Sequence, residues 1–132
     1  MNASLEDVRV FDEIIEENEG DWETIFKLFQ DSRAENTDAI ADLAVDNFYE
    51  MQDKVADETF IRKRKIEMKL EQTYTNYYSK YSLVTFREDL PYKEAMLRGR
   101  KQDELLLGIC AKPNWESVPL ENIYQQLQSI QI

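Results

Sequence analysis

Asn47 and Glu50 are the residues of this 132-residue sequence best placed to do chemistry, because their type disagrees with their position. From Thr37 to Val55, the residues Ile40, Leu43, Ala44, Phe48, Met51 and Val55 recur at three- and four-residue steps. That spacing predicts one amphipathic helix with this set on its buried side. Asn47 falls on the same side, and Glu50 follows it by one turn. An amide buried without a partner costs about 1–3 kcal/mol, and a charged carboxylate costs more. The two either bond to one another or to a neighbouring helix, or they line a pocket for a polar ligand. Periodicity leaves both readings open.

Other chemistry is narrowed by what the sequence lacks. It has no histidine and a single cysteine, Cys110. Ser–His and Cys–His nucleophilic machinery is excluded, and the commonest transition-metal ligand is missing. One cysteine allows no internal disulfide, which leads to the expectation of a reducing, cytoplasmic setting. The acidic residues are scattered and no calcium-loop pattern with its central glycine occurs, so no metal site is expected. Tyr74, Tyr77, Tyr78 and Tyr81 gather several phenols. Core packing with polar tips at the rim is the default for such a group, and ligand contact by one of them is the alternative.

Charge is spread unevenly. Residues 1–58 carry 18 acidic and 4 basic side chains, and residues 59–112 carry 7 and 12, within a total of -11. The split favours two halves that pack together, whereas a phosphate backbone would be repelled by the whole, so no nucleic acid is expected. The run Arg62-Lys63-Arg64-Lys65 reads as a solvated face or as a partner for the acidic half. No signal peptide pattern and no apolar run near 18 residues is seen, which predicts a chain without a membrane partner.

The elements that must position these residues are helices. With 42% hydrophobic residues, 3 Gly and 3 Pro, the composition suits one helix-rich domain over residues 1–132. Ser4 reads as an N-cap for a helix with the stripe Leu5, Val8, Phe11, Ile14 and Ile15, stopped at Gly20. Asp21 caps a second helix, with Trp22, Ile25, Phe26, Leu28 and Phe29 mostly buried. The polar segment Asp31 to Thr37 then separates it from the Asn47 helix. A fourth helix is predicted from about Glu58 to Tyr78, and Ser82 to Phe86 reads as a helix end or an extended turn. A fifth runs from Pro91 to about Cys110, weakened in its middle by Gly99, and Pro119 opens a short last one. The reading is an all-α fold of about five to six helices with no sheet.

Three blocks carry a resemblance. The opening Met1-Asn2-Ala3-Ser4-Leu5-Glu6-Asp7, continuing through Val8-Arg9-Val10-Phe11-Asp12-Glu13, resembles the segment after the Gly-Gln-Gly turn of flavoprotein aromatic hydroxylases. Asn47-Phe48-Tyr49-Glu50-Met51 is similar to Asn-Tyr-Ile-Glu-Met, and Tyr81-Ser82-Leu83-Val84-Thr85-Phe86 to Tyr-Thr-Met-Val-Thr-Phe, both of the kynurenine 3-monooxygenase family. The first block alone is shared by many flavin hydroxylases, and the three in order are more specific. They cover most of this chain but only the C-terminal third of the family.

The resemblance implies a helical C-terminal domain of an enzyme that uses FAD, NADPH and oxygen to convert L-kynurenine to 3-hydroxykynurenine in tryptophan catabolism. The family's Gly-x-Gly-x-x-Gly segment, its Gly-Asp motif and the Arg and Tyr that grip the substrate carboxylate have no counterpart here. A missing FAD-binding Rossmann portion is thus an implied partner, and the chain alone is expected to be inactive. By the same resemblance, Met1 and Asn2 match backbone positions beside the flavin ring, and Asn47 and Tyr81 match substrate contacts. Glu50 matches a pocket carboxylate that can accept from that tyrosine, and Met51 a neighbouring wall residue. No side chain of this chain is implied as a catalytic group; its part is to help keep a site dry for oxygen transfer to an electron-rich ring. Animal members resemble membrane-anchored proteins with an apolar C-terminal span, whereas Gln128-Ser129-Ile130-Gln131-Ile132 resembles a soluble bacterial-type ending. The competing expectations are an acidic all-α interaction module, in which the polar residues are only a buried network, and a homo-oligomer held by an exposed flavin-facing surface.

Overall fold

The computed structural model describes residues 3–54 and 56–131. Six α-helices, and no strand, occur among them: α1 (Ala3–Glu17), α2 (Trp22–Tyr49), α3 (Glu58–Thr73), α4 (Lys80–Phe86), α5 (Tyr92–Cys110) and α6 (Leu120–Gln128). A π-helical turn, Glu50–Lys54, continues α2, and a single 3-10 turn, Trp115–Ser117, precedes α6. The expected all-α architecture is therefore the observed one. Met1, Asn2 and Val55 lie outside the described residues.

Local signals account for most helix ends. Gly20 takes φ of +87°, which a side chain would resist, and so breaks the chain between α1 and α2. The Asp21 carboxylate accepts from the Thr24 backbone N–H at 3.2 Å, and Asp57 accepts from Phe60 N–H at 2.8 Å, each satisfying an otherwise orphaned donor at a helix start. Ser4 lies inside α1 instead of capping it.

Three boundaries differ from the sequence expectation. The segment Asp31 to Thr37 is not a break, and α2 runs unbroken for 28 residues. Nothing in the segment forbids helix, since it holds neither Gly nor Pro, and its polar side chains serve neighbouring helices. Arg33 is buried and reaches Asp7 at 2.6 Å and Glu6 at 3.3 Å on α1, and the Asn36 amide oxygen accepts the Lys93 backbone N–H at the start of α5. The fourth predicted helix stops at Thr73 instead of Tyr78, and Ser82 to Phe86 belongs to a separate helix, α4.

The buried faces also differ. In α2 the buried set is Ile25, Arg33, Ala39 and Leu43; Phe48 and Met51, expected inside, are 62% and 67% exposed. Leu5, Val8, Trp22, Phe26 and Leu28 are likewise exposed. The helical period is right, but α1 and the ends of α2 find too little of the remaining chain to cover them. α1 packs on α2, with Phe11 against Phe26 and Phe29, and none of its residues is fully buried.

α5 is the axis, packed by α2, α3, α4 and α6. One buried cluster joins Ile66 and Leu70 of α3 to Leu106 and Ile109 of α5 and to Ile123 and Leu127 of α6. A second joins Ala39 and Leu43 of α2 to Tyr92 and Met96 of α5. The charge split is met across this axis: Arg100 binds Asp46, Lys93 binds Glu35, and Lys80 binds Glu50. Within the Arg62 to Lys65 run, Arg64 and Lys65 are exposed and Arg62 pairs with Glu58 of the acidic half, as expected, whereas Lys63 turns into the core and pairs with Glu67 and Asp103 of its own half.

Candidate functional site

Glu50 opens the π turn at the end of α2, seven residues after buried Leu43 and so on the same face of the helix. The side chain is 12% exposed. Its Oε1 is hydrogen-bonded by the Lys80 ammonium, and its Oε2 accepts from the Tyr81 hydroxyl at 3.2 Å. Lys80 and Tyr81 are the first two residues of α4. The ammonium also lies 4.9 Å from the Tyr81 ring centre, within cation–π range.

Lys80 is more deeply buried than either partner, with its side chain 4% exposed. Its Nζ reaches Asp103 Oδ2 on α5 at 2.8 Å and approaches Asp46 at 3.9 Å. Asp46 is primarily held by Arg100, through Nε at 2.9 Å and Nη2 at 3.1 Å, the two-pronged geometry that suits a guanidinium. Asp103 Oδ1 takes Lys63 at 2.6 Å, and Lys63 lies 3.4 Å from Glu67. A file of alternating charges thus runs from Tyr81 inward to Glu67. Burial works against the Lys80 ammonium, but the hydrogen bonds and charges of Asp103 and Glu50 outweigh it and hold its pKa above the usual lysine range. Burial and the neighbouring Glu50 carboxylate, opposed by Lys80, push the Tyr81 phenol up to about 12, so it is a neutral hydrogen-bond donor at physiological pH.

Asn47 takes the other side. It is exposed, not buried as its stripe position predicts, and its amide lies 3.8 Å from the Met51 sulfur. With Ile40, Leu43, Ala44, Tyr81, Val84 and Thr85 it lines an open groove of about 420 Å³ between α2 and α4. Glu50, Lys80, Asp46 and Asp103 line a second groove of about 480 Å³, with Phe60 and Leu107. The Glu50–Tyr81 hydrogen bond joins the two. Asn47 and Tyr81 therefore line the same groove, with Glu50 behind the phenol, while Met51 is solvent-facing beside Asn47. Met1 and Asn2 fall outside the described residues.

Sequence reasoning missed Lys80, Asp46, Asp103 and Arg100. The signal was present only in bulk, as an acidic half followed by a basic one, which cannot say which pairs form. Among the described residues no group of histidine, cysteine or carboxylate side chains could hold a metal ion. The three glycines form no glycine-rich loop: Gly20 ends a helix, Gly99 packs on Lys80, and Gly108 is within α5 facing open space. None of the helices described is long and apolar enough to cross a membrane.

No protein-family model matches the chain. Individual proteins do. It is 40% identical to a kynurenine 3-monooxygenase of Cytophaga hutchinsonii over 98% of this chain and 29% of that protein. It is 37% identical to one of Candida albicans over 83% and 24%, and 33% identical to one of Legionella pneumophila over 96% and 30%. The chain spans less than a third of the length of these curated relatives. Nearly all of its sequence, the Asn47 to Met51 and Tyr81 to Phe86 blocks included, thus resembles one portion of kynurenine 3-monooxygenases.

Proposed function

We propose that this chain is the helical C-terminal portion of an FAD-dependent, NADPH-using aromatic hydroxylase that acts on L-kynurenine or a closely similar aromatic amino acid. The observation that carries the reading is a shared groove. Asn47 and Tyr81, which match substrate positions of the family, line one groove, and Glu50 accepts the Tyr81 hydroxyl from behind. Bound by the rest of a full-length enzyme, FAD would supply the oxygen-transferring group. The residues of this chain would orient and enclose. Asn47 and Tyr81 would offer polar contacts to the amino-acid end of a substrate, Met51 would add wall, and Ile40, Leu43 and Val84 would keep the groove apolar and dry. The backbone at Met1 and Asn2 would lie beside the flavin ring.

The wet, apolar surface of Val45, Phe48, Tyr49 and Met51 supports a second reading, an acidic all-α interaction module without flavin chemistry. One experiment separates them. This chain replaces the matching portion of the Cytophaga hutchinsonii enzyme, and kynurenine-dependent NADPH oxidation is measured together with 3-hydroxykynurenine formed. Hydroxylation by the chimaera supports the first reading. A chimaera that folds and holds FAD, yet oxidises NADPH no faster with kynurenine than without, overturns it.

A further inference from the structure

We propose that Lys80 is the positioning residue of this site: its ammonium fixes the Glu50 carboxylate so that one oxygen faces the Tyr81 hydroxyl. The two carboxylate oxygens of Glu50 have different partners, Oε1 the ammonium and Oε2 the phenol. Rotating the carboxylate away from Lys80 would break both bonds together. The neighbouring cations are otherwise engaged, Arg100 by both oxygens of Asp46 and Lys63 by Asp103 and Glu67.

Lys80 cannot drift, because each end of it is fixed. Its backbone and Cγ press on Gly99 of α5, where even a Cβ would come within 2.6 Å, and its Nζ is tied to Asp103 on the same helix. α5 is the axis of the fold, so Lys80 transmits the placement of that helix to the π turn that carries Glu50. A side chain outside the Asn47 groove thereby sets the orientation of the phenol on that groove's wall.

The consequence for catalysis rests on the proposed hydroxylase function, but the positioning itself does not. The full 132-residue chain is labelled with 13C at tyrosine Cζ, and Tyr81→Phe assigns the Tyr81 signal. Lys80→Met is expected to move that signal as far toward the position of a solvent-bonded phenol as Glu50→Ala does, and Lys80→Arg to restore most of it. Lys63→Met, which removes an equally buried cation one carboxylate further along, is expected to lower the unfolding temperature and leave the signal in place. A folded Lys80→Met chain with an unmoved Tyr81 signal overturns the proposal. Where Lys80→Met does not fold, Lys80→Met combined with Asp103→Asn, which removes a cation and an anion together, carries the same comparison.

In the chimaera, Lys80→Met is expected to raise KM for kynurenine at least tenfold and to divert NADPH oxidation to hydrogen peroxide, with Lys80→Arg in between. An inactive unsubstituted chimaera counts against the hydroxylase reading alone, since the Tyr81 signal still decides the role of Lys80. An active chimaera whose KM and peroxide yield ignore Lys80→Met removes the catalytic consequence.

Discussion

Gly99 and Lys80 approach so closely that a Cβ on Gly99 would lie 2.6 Å from Lys80 Cγ and 2.9 Å from Lys80 Cα. The glycine is a seat for α4. Two effects oppose one another on Gly99→Ala: alanine gains about 1 kcal/mol of helix propensity in α5, while overpacking against backbone typically costs about 1–3 kcal/mol. The clash includes a Cα, which no rotamer change relieves, so the cost wins. Gly99→Ala is expected to lower the urea midpoint, and Gly108→Ala, facing open space on the same helix, to raise it slightly.

Tyr81→Phe removes one hydrogen bond but leaves Glu50 on its ammonium. The expected cost in stability is about 0.5–1.5 kcal/mol. Glu50→Ala strands a buried lysine with one carboxylate fewer and is expected to cost more, about 3 kcal/mol. Urea unfolding of both variants checks the order. The reverse order would mean that the ion pair contributes less than the phenol bond.

How far the sequence reveals this arrangement depends on which force sets each feature. Helix existence follows from periodicity and caps, and Gly20, Asp21 and Asp57 act where their chemistry says they should. Burial is different, because period fixes a face but not what covers it. Leu43 is covered by α5 at 5% exposure, and Phe48, five residues on, is 62% exposed. Phe48→Ser and Met51→Ser are accordingly expected to shift the unfolding free energy of this chain by less than about 0.5 kcal/mol. Leu43→Ala should cost about 2–5 kcal/mol. Of the polar pair, Glu50 lies seven residues after buried Leu43 and turns inward as the period implies, and Asn47 does not. Asp31 to Thr37 misled for a related reason: its polarity serves α1 and α5, and composition alone reads that as a loop.

Glu67 gives the chain a pH dependence of unusual sign. Its carboxylate is buried at the inner end of the charge file, and desolvation raises its pKa above the ordinary glutamate value even though Lys63 and Arg64 pull the other way. A carboxyl that binds its proton more tightly folded than unfolded stabilises the protonated fold. Stability from this group is therefore lost as pH rises from the ordinary glutamate value through the raised one. Glu71 opposes it: burial raises its pKa, but hydrogen bonds from Ser79 and Ser82 prevail and lower it, so its contribution is lost as pH falls. Comparing each variant with the parent chain isolates one group from the other. The stability of Glu67→Gln minus that of the parent is expected to grow as pH rises from 4 to 8, measured as urea unfolding free energy at each pH. A difference that is flat, or that shrinks with pH, would mean that Lys63 and Arg64 compensate the buried charge completely.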